Sequence, residues 1–483
     1  MIIHSIKRTM RCALVGVAMT LMVAAYAQTN DSIRGAPNEA NHFIGTPKGW
    51  KHPMTAWGEP DIQAQLDMMQ ASRVPLERCA DSYRPGVPRC DMNKKWLTEE
   101  EYNAAMEPYH KRVDPTAQLL KENNVTAAFR AGSRDLNIPQ RQTNLIVDPP
   151  NGLLPPVTAK AKRLANEVGS DWALPGEDIK FDSAANFDSW DRCITRGMPS
   201  MMMPYRYNGG FKIVQAPGYV VFNLEMIHEA RVIPTDGRKP LGIRQYLGES
   251  RGHWEGTTLV VETTNYRVDP WINQPLINLA VQGSPAGNRF PVSDQLKTTE
   301  RIVRLNDDTW LYEITTEDPV MLTGPFTVRY PMRDDPKYFA PEYACHEDNT
   351  IVHGFVTTSR YARAHPAPEP PQTAVEVSPS VADALAGRWV GRPRIATIDL
   401  DIALEFTKNR GGAVNGKLIG TNLGAIDKPL RDFKIEGRQV SFTLPNVDPW
   451  SVSGQLSDNG TIDGVVFSIQ GGMPVTFKRE RQP

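Results

Sequence analysis

From about residue 205 onward, apolar and polar residues alternate with a period of two, and this alternation constrains the fold most. Turn dipeptides such as Asp236-Gly237 and Asn459-Gly460 separate the alternating segments. Alternation is typical of strands with one buried face, and short turns are typical of antiparallel hairpins. The sequence therefore predicts a mainly β protein whose antiparallel sheets curve into barrels. Before the proline-rich segment that begins at 365, strands are predicted at 211–216, 219–233, 257–266, 297–305, 309–317 and 326–333.

Changes in composition divide the chain into domains. An N-terminal arm with a helical segment precedes a central, antiparallel, barrel-like sheet. The helix is predicted within 97–123, where Thr98 followed by acids is a helix start. A proline-rich linker leads to a small C-terminal barrel of about eight strands. The predicted units are 1–27 (signal peptide), 28–185 (arm and helical segment), 186–364 (central domain), 365–384 (linker) and 385–483 (C-terminal barrel).

The N-terminus has the pattern of a secretory signal peptide. Basic residues precede the apolar run 12–24, and Ala25-Tyr26-Ala27 follows it. The run is shorter than the roughly 20 residues that a membrane-spanning helix needs. We therefore predict cleavage after Ala27, a periplasmic or secreted protein, and no membrane span.

The charge balance argues against nucleic acid as a partner. The chain has 54 Lys and Arg residues against 55 Asp and Glu residues, for a net charge of -1. Nucleic-acid binding needs an excess of basic residues on one surface. Hydrophobic residues make up 40% of the chain, which is enough for a large core. The oligomeric state is not predicted.

Four cysteines remain after the predicted cleavage: Cys79, Cys90, Cys193 and Cys345. An even number in an oxidising compartment favours disulfides, although free buried thiols are the alternative. Three pairings are possible. The short loop makes Cys79–Cys90 the natural local pair, which leaves Cys193–Cys345 to join distant segments. Such a bond would bring Arg196 close to the central sheet.

The familiar cofactor and metal motifs fail, so no cofactor and no metal are predicted. Gly411 to Lys417 fits the first part of a phosphate-binding loop, but Leu418 stands where Ser or Thr is needed. His228-Glu229 and His346-Glu347 lack the second histidine of a zinc-protease motif. A metal site made by His228, His253 and His346 would require the fold to bring them together.

The first candidate catalytic residue lies in the strand predicted at 219–233, where odd- and even-numbered side chains alternate between the two faces. In a regular strand, His228 is the one polar side chain on an otherwise apolar face. A buried imidazole favours its neutral form, which can act as a general base. One β-bulge would invert this assignment and place Glu225 and Arg231 inside instead. A purely structural His228 is the other alternative.

The second candidate is His253, within the segment 250–256 that precedes a predicted strand. This position predicts a site at the barrel rim, where loop residues on a rigid sheet favour function. There His253 would be the partner acid of His228, and Arg251 or Arg231 would stabilise an oxyanion. The alternative is a turn in which Trp254 closes the barrel end.

Two parts of the chain resemble known families. Three stretches within 190–350 resemble a poorly characterised family of exported bacterial proteins, which implies a common fold and no particular chemistry. They are Asp191 to Gly197, EMIHEAR at 225–231 and SRGHWEG at 250–256. Residues 385–480, opening with Gly387-Arg388-Trp389, resemble the lipocalin-like β-domain found beside secreted α/β serine hydrolases. The G-x-S-x-G motif of those hydrolases is absent from this sequence.

These observations predict an exported enzyme that acts on a small apolar or aromatic molecule. The chemistry would be cofactor-independent acid–base catalysis, as in a lyase, an isomerase or a hydrolase. One alternative is a non-catalytic periplasmic binding protein for a small hydrophobic ligand. The other is an envelope interaction module.

Overall fold

The structure, a computed structural model, describes residues 46–480 with several gaps. The predicted signal peptide and Cys90 lie outside the described residues. The gaps are 73, 80–90, 112–120, 123–138, 168–173, 178–179, 206–207, 269–275, 278–289, 337, 339–341, 348, 367–373, 396–397, 446–449 and 469–470.

Residues 64–334 form twelve strands within the described residues, and ten of them make one antiparallel sheet. The strands are β1 Ala64–Asp67, β2 Ile146–Asp148, β3 Gly210–Ala216, β4 Tyr219–Leu224, β5 Ala230–Pro234, β6 Glu249–Glu255, β7 Thr258–Thr264, β8 Leu276–Ile277, β9 Phe290–Pro291, β10 Lys297–Arg304, β11 Thr309–Glu317 and β12 Phe326–Asp334. Their order is β5-β4-β3-β1-β12-β11-β10-β7-β6, with β2 paired to β12 and with β8 and β9 as a separate pair. This barrel-like central sheet confirms the predicted fold class.

The N-terminal segment contributes to the middle of the central sheet. β1 lies between β3 and β12, with Leu66 paired to Phe211 on one side and to Asp334 on the other. The Trp310 indole N–H also donates to the carbonyl of Ile62 at 3.1 Å. Residues 62–67 are therefore part of the central β unit, whereas the sequence predicted an arm there. Their alternation is too short to be read as a strand.

The two edge strands β5 and β6 face each other and form the seam of the barrel-like sheet. A Cβ atom on Gly252 of β6 would lie 2.9 Å from Thr235 Cγ2 and 3.0 Å from Ile233 Cγ2. The close approach of β6 to β5 therefore requires a residue without a side chain at Gly252. This glycine is the third residue of the SRGHWEG stretch.

The C-terminal region, residues 387–479, forms a second, nine-stranded antiparallel sheet. Its strands are β13 Gly387–Gly391, β14 Ile402–Lys408, β15 Val414–Thr421, β16 Gly424–Pro429, β17 Arg431–Glu436, β18 Gln439–Thr443, β19 Ser451–Leu456, β20 Thr461–Ser468 and β21 Gly471–Arg479. The order β16-β15-β14-β13-β21-β20-β19-β18-β17 makes β16 and β17 the two edges, and Leu430 alone separates them in the chain. The sheet is nearly closed and barrel-like, as predicted, with nine strands instead of about eight.

Four helices of the described residues accompany the sheets: α1 Glu99–His110, α2 Ala159–Glu167, α3 Thr350–Ala364 and α4 Pro379–Leu385. α1 begins as predicted, because the Thr98 hydroxyl accepts from the Glu101 N–H while the Glu101 carboxylate accepts from the Thr98 N–H. α4 lies in the predicted linker, and three of its residues are buried. No helix of the described residues is long and apolar enough to cross a membrane.

Gly252→Ala is expected to destabilise the protein by about 1–3 kcal/mol, because the added methyl group overpacks the seam. Gly324→Ala is the matched control, since a Cβ atom at Gly324 meets nothing within 4 Å. Urea unfolding of both variants measures the difference. Equal midpoints for the two variants would show that the seam does not need a glycine.

Candidate functional site

Arg231 lies inside the central sheet, where both of its terminal guanidinium nitrogens donate to polar groups. Its Nη1 donates to Glu300 Oε1 at 2.8 Å, and its Nη2 donates to Ser250 Oγ and Thr263 Oγ1, each at 3.0 Å. Tyr312 donates its hydroxyl to Glu300 Oε1 at 2.7 Å. Burial opposes the charge of Arg231, but the Glu300 carboxylate outweighs burial and raises the pKa of Arg231. This network joins strands across the seam and engages both terminal nitrogens of Arg231.

The prediction that His228 faces the interior is wrong, because the strand predicted at 219–233 is not continuous. β4 ends at Leu224, and Met226–His228 forms a 3-10 turn in which Ile227 has φ +60°. His228 itself has φ +52°. These left-handed residues change the phase of the alternation, as a bulge would. Glu225 and Arg231 are consequently buried, and His228 is exposed.

The exposed His228 contacts a distant segment of the chain. Its Nε2 accepts a hydrogen bond from the Tyr343 backbone N–H at 3.0 Å. Two residues further on, Cys345 forms a disulfide with Cys193, with an S–S distance of 2.09 Å and Cα atoms 5.6 Å apart. The predicted Cys193–Cys345 pair is thereby confirmed. The predicted Cys79–Cys90 pair stays a prediction, since Cys90 lies outside the described residues.

Arg251 and His253 lie on the outer face of β6. Arg251 pairs with Glu249, and its Nη2 donates to the Lys239 carbonyl at 3.1 Å. The His253 side chain is 52% exposed and lies 3.4 Å from Glu255 Oε1. The predicted rim position of His253 is wrong, because the strand already begins at Glu249. The five predicted site residues therefore do not converge, and their catalytic roles stay predictions.

Buried carboxyl groups collect at one end of β1, beside the turn that follows β4. Glu225 accepts from Asn208 Nδ2 at 2.8 Å, from the Gly210 N–H at 3.1 Å and from the Tyr338 hydroxyl. Asp67 accepts from the Met69 N–H at 2.7 Å. Burial, with a smaller contribution from the charge of Glu225, raises the pKa of Asp67 to about 7. Asp67 has no signal in the sequence, because it lies far from Glu225 in the chain.

Glu229 is the second described carboxyl group with a strongly raised pKa. Burial raises its pKa to about 7, although the Thr195 hydroxyl and Arg196 act in the opposite direction. The Arg196 guanidinium lies 4.9 Å from the ring centres of both Trp190 and Tyr205. Glu229 and Arg196 border a cavity of about 10 Å³, which holds about one water molecule.

A larger space lies on the surface, where helix α3 meets the segment around Phe181. This apolar groove has a volume of about 580 Å³. Its walls include the Phe181 and Phe355 rings, 5.4 Å apart, and Phe187 packs 4.9 Å behind Phe181. Phe355 is 51% exposed and Ile351 is 50% exposed. The lining residues, none of them charged, are Phe181, Ile351, Gly354, Phe355, Thr358, Ser359 and Ala362.

Polar contacts hold the Phe181 wall of the groove against α3. The Phe181 N–H donates to Ser359 Oγ at 3.3 Å, and Arg360 Nη2 donates to the Asp182 carbonyl at 2.6 Å. Arg363 binds the Asp182 carboxylate as well. The groove is therefore a built feature of the fold. Its sequence signal is the helical spacing of Ile351, Phe355 and Ala362, in a region where no helix or strand is predicted.

Comparison with known proteins identifies no family. No protein-family model matches the sequence, and no curated protein does either. Among solved structures, a protein of unknown function from the DUF3598 family of Nostoc punctiforme has 11% identity and a TM-score of 0.12, covering 56% of this chain and 87% of that chain. A mutant of transferrin-binding protein B from Haemophilus parasuis has 10% identity and a TM-score of 0.13, covering 57% and 66%. At these scores neither likeness supports an argument.

Arg231→Met is expected to cost about 3–5 kcal/mol of unfolding free energy, because it leaves the buried Glu300 without its cation. The double variant Arg231→Met/Glu300→Gln is expected to recover part of this loss. Lys417→Met is the control, since its partner Asp427 is 72% exposed and such pairs contribute about 0–1 kcal/mol. Urea unfolding measures all three. A loss for Arg231→Met no larger than the control would contradict the role of this ion pair.

The two raised carboxyl pKa values predict how stability depends on pH. In the unfolded chain Asp67 and Glu229 regain pKa values near about 4. Between about pH 4 and pH 7 the folded state therefore binds more protons, so the unfolding free energy falls as the pH rises. Asp67→Asn is expected to make this dependence on pH less steep. Asp458→Asn is the control, because the side chain of Asp458 is 99% exposed. Urea unfolding at several pH values tests this; identical slopes for Asp67→Asn and wild type would contradict it.

Proposed function

We propose that this protein is an exported, non-catalytic binding protein for a small hydrophobic or aromatic molecule, and that the apolar groove is its binding site. The observation that carries the proposal is the groove itself, with about 580 Å³ of space beside two exposed apolar side chains of α3. This volume falls within the roughly 300–1,000 Å³ of typical small-molecule sites.

The exposed apolar surface supplies the driving force for binding. Removing such surface from water contributes about 25 cal/mol for each Å² that is buried. Phe355 and Ile351 are about half exposed and lie one helical turn apart on the same face of α3. A ligand that covers both side chains gains this energy without any rearrangement of the sheets.

An acid–base enzyme is the second candidate, favoured by the pKa values of about 7 at Glu229 and Asp67. Carboxyl groups with such values can donate and accept protons near neutral pH. The cavity beside Glu229 is only about 10 Å³, which is too small for an organic substrate. The volume of the groove therefore favours binding over catalysis.

Export is part of the proposal. It is supported by the Cys193–Cys345 disulfide, since such bonds persist in oxidising compartments. The predicted signal peptide and the resemblance of residues 190–350 to an exported bacterial family point to the same compartment.

The binding proposal predicts that the mature protein takes up the uncharged fluorescent probe N-phenyl-1-naphthylamine in a saturable, one-to-one manner. Phe355→Gln is expected to weaken this binding about tenfold or more, because it removes an apolar wall. Tyr361→Gln is the matched control: Tyr361 is 64% exposed on the same helix but does not line the groove. A fluorescence titration measures both.

The absence of saturable binding would contradict the proposal, and so would equal weakening by the two variants. Thermal unfolding, monitored by circular dichroism, checks that each variant is folded.

A further inference from the structure

We infer that the ligand of the apolar groove is an uncharged aromatic molecule that carries a carbonyl or a similar hydrogen-bond acceptor, which Ser359 recognises. The inference rests on the proposed binding function and adds the chemical class of the ligand. Its evidence is the hydrogen bonding of Ser359 and the arrangement of charges around the groove.

Ser359 presents a hydrogen-bond donor to the groove. Its Oγ accepts from the Phe181 N–H at 3.3 Å and from Arg363 Nη1 at 2.6 Å. A hydroxyl group has two acceptor positions and one proton, so these bonds occupy both acceptor positions. What remains is the proton of Ser359, a residue that lines the groove.

Thr357, a neighbouring residue in α3, shows the bond within the helix that a hydroxyl proton can otherwise form. Thr357 donates its hydroxyl to the His353 carbonyl at 2.8 Å, one helical turn earlier. Such bonds to the preceding turn are common for Ser and Thr in helices. Among the described residues Ser359 makes no bond of this kind. Its proton is therefore available to a ligand.

The contact with Arg363 strengthens the donor. A cation that donates to Oγ draws electron density from the hydroxyl oxygen, and chains of hydrogen bonds polarise one another. Charge-assisted hydrogen bonds are also shorter and stronger than neutral ones. Ser359 is thus a better donor than an isolated serine, and a neutral acceptor such as a carbonyl oxygen suits it.

The lining of the groove favours an uncharged ligand. Arg360 and Arg363, which lie beside the groove on α3, both bind Asp182. None of the lining side chains is charged. A charged ligand would lose hydration without meeting an ionic partner among the lining side chains, which is costly.

The rings around the groove favour an aromatic ligand. Phe181, Phe187 and Phe355 contact one another, with the Phe355 ring edge-on to both of the others. A further ring can continue this arrangement, which adds to the energy of burial alone.

The test uses two neutral probes of nearly the same shape. 2-Acetylnaphthalene has a carbonyl oxygen where 2-isopropenylnaphthalene has a methylene group, so the ratio of their affinities isolates one hydrogen bond. Both compete with N-phenyl-1-naphthylamine for the mature protein. Wild type is expected to prefer the ketone about fivefold. Ser359→Ala is expected to abolish the preference, and Ser359→Thr to keep it.

The ratio of affinities separates recognition from structure. Ser359→Ala also removes the acceptor that holds Phe181. A looser wall, however, lowers the affinities of both probes by the same factor. Equal affinities in wild type, or an unchanged ratio in Ser359→Ala, would overturn the inference while leaving the binding function intact. 2-Naphthoate binding as tightly as the ketone would also overturn it. If neither neutral probe binds, the proposed function itself fails.

Discussion

The ion pair between Arg231 and Glu300 is the interaction on which the shape of the central sheet most depends. Strands β5 and β6 are edges without a ladder of backbone hydrogen bonds between them. Arg231 on β5 reaches Ser250 on β6 and Thr263 on β7, and its charge is balanced by Glu300 on β10. Buried charges are costly unless they are paired, so this network specifies one arrangement of four strands. The absence of a side chain at Gly252 lets the two edges come together.

The turn between β4 and β5 sets which residues can enter that network. Left-handed backbone at Ile227 and His228 changes the phase of the alternation, so that Arg231 points inward and His228 points to solvent. His228 then holds the Tyr343 segment, which the Cys193–Cys345 disulfide also joins to the central domain. Helix α3 begins five residues after this disulfide. The irregular turn therefore sets the side-chain phase at the seam and also contacts the segment that precedes α3.

Much of the fold could be predicted from local patterns. The segments predicted at 211–216, 297–305, 309–317 and 326–333 are confirmed as strands, and the start of α1 at Thr98 is confirmed by its capping box. These patterns succeed because alternation and helix caps depend on residues close together in the chain. β6 was missed because SRGHWEG interrupts the alternation, and its glycine is explained only by the neighbouring strand.

The candidate sites could be predicted much less well. Asp67 and Glu229 have raised pKa values because distant segments bury them, and burial is not visible in a single sequence. The groove joins Phe181 to Ser359, which are 178 residues apart. A shift of one residue also moves every side chain of a strand to its other face. The prediction for His228 assumed regular alternation, so it placed this side chain on the wrong face.

The sequence by itself determined the mainly β class, the second antiparallel sheet with its N-G and E-G turns, and a cysteine set that favoured disulfides. Each follows from local periodicity, turn chemistry or residue count. Tertiary structure decided the orientation of His228 and Arg231, the insertion of β1 and the existence of the groove. Those features depend on backbone irregularities of one residue and on contacts between distant segments, for which a local pattern contains no information.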